Sequence, residues 1–190
     1  MSIVNSLIKI FVGDKAKKDI KAIEPIVAKI KTYAADLEKV SNDELRAKTI
    51  EFKQRIGQAR AKWDEKIADL QQQADQTEDI DKKEDFYTEI DKLNVEAYEV
   101  SEKTLNELLA EAFAVMKETA RRFSQNETIE VTATPFDREL SATKTYVSLQ
   151  GDKAIWKNSW DAAGKAVTWD MVHYDVQLIG GIALHQGQNC

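Results

Sequence analysis

A chain of 190 residues, 43% of them hydrophobic, is long enough to bury a core in one or two domains. Its 27 Lys and Arg against 33 Asp and Glu leave a formal charge of -6, the opposite of the basic balance that a general nucleic-acid binder needs against phosphates. With 7 Gly and 2 Pro in a sequence that is 32% charged, the composition argues against a turn-rich β architecture and for long helices.

The first segment, MSIVNSLIKIFVGD, sets Ile3, Val4, Leu7, Ile8 and Phe11 on one helical face, which predicts an amphipathic helix over 1–14 closed by Gly13 and Asp14. Asn5, Ser6 and Lys9 interrupt its apolar run and no basic region precedes it, so it does not read as a signal peptide. No later stretch stays apolar for the ~18 residues that a membrane span requires. Cys190, the single cysteine, cannot form an intramolecular disulfide and suits a reducing compartment. The expectation is a cytoplasmic chain with at most a peripheral membrane role. Lys15, Lys17, Lys18, Lys21, Lys29 and Lys31 outnumber Asp19 and Glu24 just beyond the first helix. An apolar helix beside that cluster suits an acidic phospholipid surface. The plainer reading is a helix packed on its own domain with a solvated lysine face.

Ile20, Ile23, Val27, Ile30, Ala34 and Leu37 recur at spacings of three and four, the seam of a helix that packs on another. Pro25 predicts a kink, or a helix that begins close to it. Ser41 to Glu44, read SNDE, is a capping box that opens a second helix with its seam at Leu45, Thr49, Phe52, Ile56, Ala59, Trp63, Ile67 and Leu70. The acidic stretch ADQTEDIDKKED, Ala74 to Asp85, has no apolar period and reads as a solvated turn. A third seam starts at Phe86 and runs through Ile90, Leu93, Ala97, Val100, Leu105, Leu108, Ala112, Val115 and Thr119 to Phe123. Two long helices about an acidic turn predict a coiled-coil-like hairpin.

After Phe123 the pattern changes. TIEVTAT and KTYVSL are β-branched runs, and Pro135 to Ser141 between them reads as a helix-breaking stretch, so a small β element is expected. Trp156, Trp160 and Trp169 follow closely and bury much apolar area if they converge, either as a clamp on the β element or as a partner-docking surface. His173 and His185 have no cysteine or HExxH pattern beside them, which gives a zinc site poor support. No nucleophile elbow or GxGxxG occurs, and the abundant carboxylates fall on polar helix faces.

Three blocks resemble the SecA family of bacterial preprotein translocase ATPases. SNDELRAKTIEFKQRI, Ser41 to Ile56, is similar to that family's first long helix; EAFAVMKETARRF, Glu111 to Phe123, to the helix before its nucleotide pocket; and MVHYDVQLIGGIALHQG to the stretch that follows. The blocks stand in the family's order. Gly57 to Asn106 and Ser124 to Asp170 depart from the common pattern as insertions, and Val172 stands where the family often has arginine. The family continues into a Gly-Glu-Gly-Lys-Thr phosphate loop where this sequence reads HQGQNC.

The resemblance implies a mainly α fold ending in the start of a P-loop, helicase-like nucleotide-binding domain. It divides the chain into an amphipathic helix over 1–14, a long-helix region over 15–123, a β and Trp-rich insertion over 124–170, and an adenine-recognising start over 171–190. Met171, Tyr174 and Gln177 would line the adenine side of an ATP pocket, with magnesium and the phosphates held by residues absent from these 190. Tyr174 offers a ring, and Gln177 a donor and an acceptor side by side. Without the family, YDVQL is a weak motif and reads as ordinary helix packing. Implied partners are the SecYEG channel, preproteins, acidic phospholipid and a second copy of the chain as a homodimer, with no nucleic acid. The implied function is coupling of ATP hydrolysis to preprotein translocation, with no turnover by the 190 residues alone; a non-catalytic coiled-coil adaptor is the alternative.

Overall fold

A computed structural model describes residues 14–187 of the chain, with side chains from residue 18 onward. The amphipathic helix expected over 1–14 therefore falls, apart from Asp14, outside the described residues, as does Cys190. The described chain is mainly helical with a small amount of antiparallel sheet. Among the described residues, no helix is long and apolar enough to cross a membrane.

Helix α1 spans Asp14–Leu37 and buries Ile23, Val27, Ile30 and Leu37, the face its periodicity specifies. Pro25 lies inside this helix and not near its start. Its ring is exposed while Ile23 and Val27 on either side are buried, so one lost backbone hydrogen bond faces solvent and the buried stripe carries the helix across it.

Ser41 opens α2, Asn42–Gln76, as its sequence specifies. Its Oγ accepts from the Glu44 N–H at 3.2 Å, and the Glu44 carboxylate accepts from the Ser41 N–H at 2.7 Å. Helix α3, Ile80–Gln125, begins after only residues 77–79. The turn expected over Ala74 to Asp85 is therefore mostly helix: Ala74 is buried within α2, and Asp79 caps α3 by accepting from the N–H groups of Asp81 and Lys82. Acidic residues in such a stretch favour a helix start as readily as they favour solvent.

The chain divides into two compact units, Arg46–Ala112 and the residues before and after that segment. Within Arg46–Ala112 the α2 and α3 segments run antiparallel. Trp63 donates its indole N–H to Glu96, and fifteen residues earlier on α2 Lys48 meets Glu111, fifteen later on α3. Between those two levels and the connection, Ile67, Ile90 and Leu93 form a buried cluster with Trp63 and Leu70 packed on it. Each such aliphatic side chain contributes roughly 1.5–3 kcal/mol by leaving water. Thr49, placed on the seam by its spacing, is exposed.

The other unit holds α1, the C-terminal part of α3 from Phe113, and everything after it. Strand β1, Thr128–Thr132, alternates exposed and buried residues, as one half-buried sheet face requires. The stretch Pro135–Ser141 is a short helix, α4, where the sequence suggested an irregular break. Thr134 caps it, Pro135 occupies its first turn, and Asp137 returns a carboxylate to the Thr134 N–H at 2.7 Å. Strands β2, Val147–Gln150, and β3, Lys153–Lys157, complete a three-stranded antiparallel sheet in the order β1-β3-β2. Ile129, Val131 and Ala154 form its core against Phe123 and Trp156. Strands β4, Ser159–Ala162, and β5, Lys165–Thr168, form a separate antiparallel pair. Helix α5, Asp175–His185, packs on α1 and buries Leu178, Ile182 and Ala183.

Candidate functional site

The three residues singled out for base recognition meet at the start of α5. Tyr174 is its N-cap, with extended backbone (φ -79, ψ 158), so its N–H faces away from the helix ladder. The Gln177 side chain supplies the missing partner: its Oε1 accepts from that N–H at 2.9 Å. On the other side of the same amide, Nε2 stands 3.9 Å from the Met171 sulfur. Gln177 is thus held by both its polar atoms. Each atom keeps capacity, because the oxygen has a second lone pair and the nitrogen a second hydrogen. All three side chains remain exposed, Tyr174 at 70% and Met171 at 43%.

The strap leading into this cluster is anchored twice. The Trp169 indole N–H donates to the Met171 carbonyl at 2.7 Å. Lys117 of α3 donates its ammonium to the His173 carbonyl. Asp175, in the first turn of α5, pairs with Lys31 of α1 at 2.6 Å. The glycine pair within α5 resolves into two unlike positions. A Cβ on Gly181 would stand 2.7 Å from the Phe113 ring of α3, whereas one on Gly180 would meet nothing within 4 Å. Gly181 therefore permits the close approach of two helices, and Gly180 does not serve that purpose.

The same unit holds a polar cluster whose carboxylate the sequence pattern assigns to a polar helix face. Glu118 is 1% exposed and sits between Arg121 and Arg122, at 2.6 and 2.7 Å. Burial pushes its carboxyl up, and the hydrogen bonds and charges of the two arginines together outweigh that, holding it below its ordinary value. Arg122 goes further, donating to the carbonyls of Leu37 at 2.9 Å and Val40 at 2.7 Å and to the Asn42 side chain at 2.7 Å. Asn42 in turn donates to the Glu130 carbonyl, and Asp43 accepts from the Thr132 backbone and hydroxyl at 2.8 and 2.7 Å. One guanidinium thus joins the ends of α1 and α3 to the start of α2, and Asn42 and Asp43 tie the start of α2 to strand β1. One acidic and two basic residues at the spacing Glu118, Arg121, Arg122 carry no sequence signal that separates burial from solvation.

The profile of the SecA DEAD-like domain matches residues 8–189. The chain is 62% identical over 188 residues to the protein translocase subunit SecA of Flavobacterium psychrophilum, and 58% over 188 residues to that of Christiangramia forsetii. It is 48% identical over 185 residues to the same subunit of Phocaeicola vulgatus. These matches cover 99%, 99% and 97% of this chain and 17% of each of those proteins. A match of 188 residues takes in both stretches read as insertions, so the Flavobacterium psychrophilum protein aligns with them too. No solved structure matches the chain.

Proposed function

This chain belongs to the SecA family, and on that premise we propose that it is the N-terminal part of a motor that couples ATP hydrolysis to movement of unfolded preproteins through the SecYEG channel. The chain spans 17% of the length of the Flavobacterium psychrophilum protein, and this reading assigns turnover to a protein of that length. In this reading the start of α5 selects the base. Gln177 Oε1 accepts from the adenine N6 amine and Nε2 donates to N7, while Tyr174 and Met171 contact the ring. Guanine presents an acceptor, O6, where the amine would stand, and so loses the match. When bound, the triphosphate with its magnesium supplies the bond that is broken, and its ligands are assigned to residues beyond this sequence, which contains no Gly-x-Gly-Lys-Thr. The coiled-coil hairpin, an acidic phospholipid surface, a peripheral inner-membrane location and a homodimer belong to the same proposal.

The single observation that supports base selection most directly is the hold on Gln177 by Tyr174 and Met171. It also defines a clean test. Glutamate at 177 retains an oxygen for the Tyr174 N–H, so the helix start survives, but the donor is lost. In the full-length protein, Gln177→Glu is expected to raise the KM for ATP and narrow the preference for ATP over GTP by roughly 5- to 100-fold, from ~1–3 kcal/mol for one matched pair. An unchanged ATP to GTP ratio, measured by steady-state hydrolysis, would return Gln177 to a helix-capping role alone.

A further inference from the structure

One peptide unit stands between α3 and the Gln177 side chain. Its carbonyl, that of His173, accepts from the Lys117 ammonium, and its N–H, that of Tyr174, donates to Gln177 Oε1 at 2.9 Å. A trans peptide is planar with its oxygen and hydrogen on opposite edges, so a donor that fixes the one fixes the aim of the other. Hydrogen bonds from charged groups are the stronger ones, and a bond at one end of a peptide polarises the group at the other. Lys117 is half-buried on α3, and no carboxylate forms an ion pair with it among the described residues. The carboxylate next to it in sequence, Glu118, is taken by Arg121 and Arg122. The Lys117 ammonium is directed instead at a backbone oxygen 56 residues away.

Which way round a carboxamide sits is decided by its partners, since its oxygen and nitrogen ends have nearly the same shape. The Tyr174 N–H is a donor, so it holds the oxygen end and leaves Nε2 beside the Met171 sulfur at 3.9 Å. A purine feels that choice unequally. Against adenine, this orientation can match both N6 and N7, and the reverse orientation matches neither. Against guanine, whose O6 and N7 are both acceptors, either orientation makes one match. We propose that Lys117 is a positioning residue for base selection: through the His173–Tyr174 peptide it holds the Gln177 carboxamide in the one orientation that reads adenine. This role rests on Gln177 meeting the base, as proposed above, whereas the hold on its carboxamide does not.

In the full-length protein, Lys117→Met, similar in length but uncharged, is expected to raise the KM for ATP by roughly 3- to 10-fold while the KM for GTP changes by less than about twofold. A merely structural role would weaken both nucleotides alike. Lys117→Arg keeps a cationic donor and is expected to retain most of the ATP preference. In a Gln177→Glu background, Lys117→Met is expected to add nothing, because no carboxamide remains to be oriented. Equal rises for ATP and GTP, or an unaltered KM for ATP in Lys117→Met while Gln177→Glu raises it, would overturn the proposal. The hold and the base reading fail separately. An unchanged ATP to GTP ratio in Gln177→Glu defeats base selection, whereas the hold is read without nucleotide, by hydrogen exchange in the 190-residue chain. There Lys117→Met is expected to speed exchange of the Tyr174 N–H by roughly 2- to 10-fold, the span of one net hydrogen bond. Unchanged exchange of that N–H overturns the proposal alone.

Discussion

Helix α3 is held by opposite means in its two parts. Between Phe86 and Leu109 it buries one apolar stripe and leaves its charges at the surface, with Tyr87, Val95 and Tyr98 exposed beside them. Between Phe113 and Gln125 it buries charge: Glu118 is enclosed, and Arg122 reaches three acceptors on other segments. The first arrangement fixes position by volume, and neighbouring apolar residues can substitute for one another within it. The second fixes position by direction, because each hydrogen bond has one geometry and no apolar residue can replace it.

Breaking the directional part should have the largest effect. Arg122→Ala removes one of the two arginines that hold the buried Glu118 and strips the Leu37 and Val40 carbonyls of their donor, and a loss of about 3–5 kcal/mol in unfolding free energy is expected from urea titration. The acid limb of stability offers a second reading of the same cluster. Because the folded Glu118 carboxyl lies below its ordinary value of 4.5, its contribution is complete above that pH and is lost as pH falls through the folded value. Glu118→Gln should remove that portion of the acid-induced loss, visible as a shallower fall in urea midpoint between neutral pH and the acid limb.

The apolar part should respond somewhat less. Ile90→Ala, at a site 5% exposed, is expected to cost about 2–4 kcal/mol through the cavity it leaves, read from the same titration. Smaller again is the contrast within α5. Gly181→Ala forces the Phe113 ring to shift and should destabilise by about 1–3 kcal/mol, whereas Gly180→Ala should stabilise by about 0.5–1 kcal/mol. At the foot of the scale, Arg60→Ala removes an exposed pair with Asp64 and should leave the thermal midpoint unchanged.

The same contrast explains what the sequence made legible. Apolar residues at 23, 27 and 30, or at 90, 93 and 97, announce a buried face because repetition averages out local exceptions. The Ser41 cap was legible because its signal is local. Thr134-Pro135-Phe136-Asp137 carries the same kind of signal, a cap, a proline in the first turn and a carboxylate three residues on, and marks a helix that the proline alone obscured. Ala74 to Asp85 misled because acidic residues serve a helix start and a loop equally well. Met171, Tyr174 and Gln177 were placed by resemblance, and their mutual contacts follow from one helix start. Glu118 and Arg122 were beyond reach, since what distinguishes them is the set of atoms that long-range folding brings to them.

The bonds around Arg122 also impose an order in time. Arg122 and Leu37 are 85 residues apart, and Thr132 and Asp43 are 89 apart. At a synthesis rate of ~5–20 residues per second, the first of these separations takes roughly 4–17 s to emerge. Throughout that interval the nascent α1 ends in carbonyls whose guanidinium partner does not yet exist. Helix α1 is therefore made well before the residue that secures its end, and it spends those seconds open to any chaperone or surface that reaches it.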